Sequence, residues 1–130
     1  LVVPTDQYFE FNSDKLNERE ETALNYVVNL IHLYPCTTVY VAAFSDNIGT
    51  RHQRNFKTQS QAESMITYLW ANSIPAEYLR ATGLGSRFPI ADNQTIRGSA
   101  MNRRIEIQWT VHPDQTLDSP EAMNRMLNMK

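Results

Sequence analysis

The sequence predicts an α/β (α+β) sandwich: a mixed sheet of about four strands with two main helices packed on it, in βαβαβ order. Three observations carry that expectation. Two long segments, 16–34 and 50–72, repeat apolar residues at helical spacing. The run Val39-Tyr40-Val41-Ala42-Ala43-Phe44 is apolar on both faces, as a central strand covered by helices would be. From Ile105 to Val111 apolar and polar residues alternate strictly, which makes a strand with one buried face.

Each element follows in order. Residues 1–7 contain Pro4 and read as an irregular lead-in. Tyr8-Phe9-Glu10-Phe11 alternates, with Phe9 and Phe11 on one face, and reads as a short first strand. Asn12-Ser13-Asp14 is a turn cluster that offers helix caps. In the first helix Leu24, Val27, Val28 and Ile31 form a one-sided stripe. Glu18, Glu20 and Glu21 put negative charge in its first turns, where the helix dipole favours it, and Pro35 ends it.

The strand 39–44 leads through Ser45-Asp46-Asn47-Ile48-Gly49 into the second helix. Ala62, Met65, Ile66 and Leu69 give that helix its apolar face, and it ends near Asn72, ahead of Pro75. Residues 77–82 read as a helical turn or a strand, running into Gly83-Leu84-Gly85, a tight turn. Residues 86–98 read as a loop, and Asn102-Arg103-Arg104 opens the last strand. The tail, 113–130, holds a short helix signal at Ser119-Pro120-Glu121, with Met123, Met126 and Leu127 behind it.

Length suits one domain with a real core, expected over 8–112. The formal net charge of −2 argues against a general nucleic-acid binder. No apolar run approaches the ~20 residues a bilayer-spanning helix requires. The chain begins at Leu1, without methionine, and is read as a fragment or a processed form. The single cysteine, Cys36, cannot close an intramolecular disulfide, so cysteine usage is silent on compartment.

Signatures of catalysis are missing. His32 and Cys36 are four apart, but Pro35 lies between them and two ligands do not make a metal site. His52 and His112 have no accompanying nucleophile or acid motif. Gly83-Leu84-Gly85 lacks the third glycine of a dinucleotide fingerprint. Neither an enzyme nor a cofactor is expected.

The turn 45–49 is the point of chemical interest. It sets a carboxylate, Asp46, at the mouth of a helix N-terminus, where backbone N–H groups and the dipole favour anions. Asp46 either caps the helix or receives a cation from a ligand.

Four separated pieces then fit one pattern: Phe9-Glu10-Phe11-Asn12; Ser45-Asp46-Asn47-Ile48-Gly49; Tyr68-Leu69 with Ile74-Pro75, Leu79 and Gly83-Leu84-Gly85; and Pro89-Ile90-Ala91-Asp92-Asn93-Gln94-Thr95, Gly98 and Asn102-Arg103-Arg104-Ile105-Glu106-Ile107. Over about residues 8–111 the chain resembles the OmpA-like domain family. That module is found at the C-terminus of outer membrane protein A, in peptidoglycan-associated lipoproteins and in flagellar stator proteins. The resemblance implies the α/β sandwich. It also implies a place in the periplasm of a Gram-negative envelope, attached to the outer membrane through a segment outside these 130 residues. It further implies non-catalytic binding of peptidoglycan through diaminopimelate of the stem peptide.

By position, Asp46 matches the family's acidic ligand residue, whose carboxylate meets the ammonium of diaminopimelate, and Asn47 lies beside it. Phe11 and Asn12 match a Phe-Asp pair after the first strand, with Asn in place of Asp; core packing is the other reading of Phe11. The family's arginine, fifteen residues after the acid, is here Gln61, which donates hydrogen bonds but cannot replace a bidentate guanidinium–carboxylate pair. Arg54 and Lys57 precede Gln61 by seven and four residues on the same helical face. They are either a solvated basic stripe or the source of a substitute cation. Asn102, Arg103 and Arg104 match the family's signature block. A bracing role for at least one arginine is expected, on the loop 86–98, through carbonyls or Asp92; direct contact with the ligand is the other reading. The alternative function is a degenerate module serving protein interaction within an envelope assembly, such as a secretion-system complex. The tail 113–130 either binds a partner there or packs back on the domain.

Overall fold

The computed structural model describes residues 1–10, 13–17, 21–33 and 37–111. Among them lie four α-helices and one four-stranded mixed sheet. The strands are β1 (Val2–Pro4), β2 (Thr37–Phe44), β3 (Leu79–Gly85) and β4 (Arg104–Val111), in the order β1-β4-β2-β3. The helices are α1 (Thr5–Tyr8), α2 (Glu21–His32), α3 (Arg51–Ala71) and α4 (Ile96–Asn102), and a single 3-10 turn, Ala76–Tyr78, precedes β3.

Burial explains why β2 is central. Val39, Val41 and Ala43 lie in the core, and the strand is hydrogen-bonded on both edges. It runs parallel to β3, a pairing that requires a crossover, and α3 supplies it. It runs antiparallel to β4, with Val41 opposite Ile107 and Ala43 opposite Ile105. The α2 stripe Leu24, Val27, Val28 and Ile31 is buried, as its spacing predicts. On α3, Ala62, Met65 and Leu69 are buried and Ile66 packs at the margin. Thr50 caps α3 in a reciprocal box with Gln53: its hydroxyl accepts from the Gln53 N–H, and the Gln53 side chain accepts from the Thr50 N–H.

The structure corrects several boundaries. Residues 1–7 are not irregular. They hold β1, antiparallel to β4, and most of α1. The N–H of Thr5 then donates to the Arg103 carbonyl, which fixes α1 against the head of β4. Among the described residues Tyr8-Phe9-Glu10 joins no sheet: Phe9 is buried and makes an isolated bridge with Leu16. The helix expected from residue 16 has its described turns at Glu21–His32, and Leu16 lies outside it. Gly83-Leu84-Gly85 belongs to β3 rather than to a turn. The loop after β3 ends at Thr95, where α4 begins with its N-cap hydroxyl accepting from the Gly98 N–H. Tyr34, Pro35, Cys36, His112 and the tail 113–130 lie outside the described residues.

Candidate functional site

Asp46 follows the end of β2 and is 3% exposed. It does not cap α3, because Thr50 does. Its Oδ1 accepts from the Ile48 N–H at 3.2 Å, and its Oδ2 accepts from the Ser99 hydroxyl at 3.1 Å and from Arg103 Nη1 at 2.7 Å. Burial pushes its pKa up, but the bonds from Arg103, the Ile48 N–H and Ser99 outweigh burial and hold the carboxyl below its ordinary value. Arg103 is shared. Its Nε and Nη2 donate to Asp6, the Nη2 bond to Oδ2 being 2.7 Å long. The bonds to Asp6, set against burial and reinforced by Asp46, raise the guanidinium pKa further above its already high value.

These groups border a cavity of about 190 Å³, lined on its polar side by Thr5, Asp6, Glu10, Asp46, Lys57, Gln61 and Arg103 and on its apolar side by Phe44 and Ile48. Asp46, Lys57, Gln61 and Arg103 were all singled out by sequence, and the fold brings them together. Thr5, Asp6, Glu10 and Ser99 were not. Thr5 and Asp6 sit in the segment read as irregular, and no local pattern marks them. Ser99 sits on a helix whose first three residues, 96–98, read as loop by sequence.

The other sequence candidates go elsewhere. Gln61 is 3% exposed, and its Nε2 donates to the Ser13 carbonyl at 3.1 Å, so one of its two N–H donors is already engaged inside the protein. Arg54 does not swing towards the cavity. Its Nη1 donates to the carbonyls of Asn47 and Gly49, at 3.0 and 2.7 Å, and clasps the turn that follows Asp46. The Asn47 side chain is exposed; its carbonyl is what the site uses. Phe11 and Asn12 lie outside the described residues. The N–H groups of the turn and the helix start are not all open to a ligand, because Ile48 donates to Asp46 and Gln53 to Thr50.

The signature block divides its labour. Asn102 is fully buried; its Oδ1 accepts from the N–H groups of Ile90 and Ala91, and its Nδ2 donates to the Ala91 carbonyl and to Asn93 Oδ1. Arg104 lies 3.9 Å over the Phe44 ring and donates to Glu106 and to the Phe88 carbonyl. Carbonyl bracing of the loop is therefore shared by Asn102 and Arg104. Asp92 takes no part in it with the arginines: its Oδ1 accepts from the Gln94 N–H.

The chain is similar to several known proteins. Over 108 residues the chain is 34% identical to "Probable lipoprotein YiaD" of Escherichia coli, covering 82% of this chain and 49% of that one. Over 84 residues it is 33% identical to peptidoglycan-binding protein ArfA of Mycobacterium tuberculosis, covering 65% of this chain and 26% of that one. The chain thus spans about half or less of these two relatives. Among solved structures it resembles the cell wall anchor of the T6SS from Pseudomonas aeruginosa, with 27% identity, a TM-score of 0.73, and coverage of 82% of this chain and 76% of that one. Residues 8–103, from the end of α1 to the Arg103 that grips Asp46, match the OmpA family, and the chain belongs to that family.

Proposed function

We propose that this chain is a non-catalytic peptidoglycan-binding domain. In the periplasm of a Gram-negative bacterium it would anchor an outer-membrane or envelope protein to the cell wall through diaminopimelate of the stem peptide. The observation that carries this reading is convergence: Asp46, Lys57, Gln61 and Arg103, from three parts of the chain, line one cavity in a member of the OmpA family. The cavity has room for about six waters, enough for the end of one amino-acid side chain. Its carboxylates favour an ammonium, and Phe44 and Ile48 offer apolar contact to a methylene stem. That ArfA is named as peptidoglycan-binding and the Pseudomonas protein as a cell wall anchor supports the same reading.

Retention on purified diaminopimelate-containing sacculi tests it. Wild type should be retained and Asp46→Asn retained less, with thermal melts recorded beside both. A folded wild type that passes straight through would overturn the reading.

A second reading is favoured by the internal engagement of the site. Arg103 already neutralises Asp46, and one Gln61 N–H is taken by the Ser13 carbonyl. On that reading the domain is an interaction module of an envelope assembly, such as a secretion-system complex, with weak or no wall binding. Folded wild type that ignores sacculi but co-assembles with envelope proteins is the outcome that would select it.

A further inference from the structure

We infer that the cavity reads a terminus bearing an ammonium and a neutral carboxamide on one carbon, as in amidated diaminopimelate, in preference to the free acid. The inference rests on the peptidoglycan reading above and specifies its ligand.

The hydrogen-bonding capacity left over in the cavity points this way. The Ser13 carbonyl can only accept, so it fixes the Gln61 amide with its NH₂ towards Ser13. Gln61 Oε1 has no hydrogen bond among the described residues, so Gln61 offers the cavity an acceptor beside the second N–H of its amide. Thr5, only 5% exposed, also lines the cavity, and its Oγ1 is buried with no partner among the described residues. A hydroxyl both donates and accepts. A carboxamide satisfies both groups at once: its NH₂ donates to Gln61 Oε1 and its carbonyl accepts from the Thr5 hydroxyl. A carboxylate could take only the second Gln61 N–H and the Thr5 hydroxyl, and it has no proton for Gln61 Oε1.

Charge gives the same answer. Three carboxylates, Asp6, Glu10 and Asp46, face two cations, Lys57 and Arg103. Arg103 is committed to two of those carboxylates, with bonds of 2.7 Å to each. Lys15 approaches Glu10 only at 3.8 Å on the exposed side, where ion pairs contribute little. A ligand carboxylate would therefore enter an already negative site, whereas an ammonium with a neutral neighbour enters it favourably.

The test is calorimetric titration of the whole chain with three peptides of the form L-Ala-γ-D-Glu-X. In them X is meso-diaminopimelate with its ε-side carboxyl free, the same residue amidated, or L-lysine. The amidated peptide should bind about tenfold or more tightly than the free acid, and more tightly than the lysine peptide. Gln61→Arg should move the ratio back towards the free acid. Equal or tighter binding of the free acid overturns the inference while leaving the peptidoglycan reading in place. Lysine binding that matches the amidated peptide also overturns it, because the carboxamide is then not read. Binding of no peptide overturns both readings. If Gln61→Arg does not fold, the wild-type ratios decide alone.

Discussion

Arg103 Nη1 lies 2.7 Å from Asp46 Oδ2, a pair 57 residues apart in sequence that ties the turn after β2 to the head of β4. The Asp46 side chain is 4% exposed and that of Arg103 22%. Removing the guanidinium leaves a buried carboxylate held only by the Ser99 hydroxyl and the Ile48 N–H. Arg103→Ala should therefore cost roughly 3 kcal/mol, the scale for an orphaned buried charge. Asp46→Ala with Arg103→Ala should cost less than the sum of the two single changes. Urea denaturation of the four proteins measures the coupling, and a value under about 0.5 kcal/mol would show that the pair does not hold the turn.

The same pair makes stability depend on acid. The folded Asp46 carboxyl titrates below its ordinary 3.8, because Arg103, the Ile48 N–H and Ser99 together outweigh burial. In the unfolded chain it titrates at the ordinary value. A depressed folded pKa contributes stability that is complete above the ordinary value and is lost as pH falls through the folded one. Urea midpoints of wild type should drop as pH is lowered from about 5 to 2. Asp46→Asn lacks this share of the drop, so its curve should approach the wild-type curve in acid. Curves that stay parallel would contradict the assignment.

What the sequence reveals and what it hides divide along physical lines. Periodicity reports burial, so Leu24, Val27, Val28 and Ile31 on α2 and Ile105 and Ile107 on β4 are legible without a structure. β1 is not, because three residues carry no period and their extended form comes from pairing with β4. α4 hides for another reason. Its buried face is Gly98, Ser99 and Asn102, while its first residue, Ile96, is 92% exposed, so apolar spacing points away from the helix. At the site, position marks Asp46 as either a helix cap or a ligand group, and the structure gives the capping to Thr50. Whether Arg54 meets a ligand or two carbonyls of its own turn depends on the path of the backbone, which no spacing encodes.

Gly83 sets how closely α3 can approach β3. A Cβ built there would lie 2.1 Å from the Gln59 backbone nitrogen, and backbone cannot move aside as a flexible side chain can. The approach is also bonded, since the Gly83 N–H donates to Gln59 Oε1 and the Gly85 N–H to Thr58 Oγ1. Gly83→Ala should push the helix outward and cost roughly 2–3 kcal/mol, within the range for overpacking. Thermal melting should show a loss of several degrees; an unchanged melt would mean that the helix moves freely on the sheet.

Asn102 should be the most sensitive polar residue outside the cavity. It is fully buried, and its single amide satisfies N–H groups of Ile90 and Ala91, the Ala91 carbonyl and Asn93 Oδ1. Leucine fills similar volume but offers none of these bonds, so Asn102→Leu would strand those loop groups against an apolar surface. A loss of about 2–4 kcal/mol is expected, more than one ordinary hydrogen bond because several partners lose theirs together. Asp would keep the acceptor for Ile90 and Ala91 but lose the donor, so Asn102→Asp should show only part of the loop effect while adding the penalty of a buried charge. The loop also carries a ready probe, the exposed Arg87 and Phe88. Limited trypsin digestion should cut after Arg87 faster in Asn102→Leu than in wild type. Hydrogen exchange should rise first at Ile90 and Ala91 and leave the β2–β4 ladder protected. Uniform loss of protection across β2 and β4 would instead show that Asn102 supports the whole sheet rather than this loop.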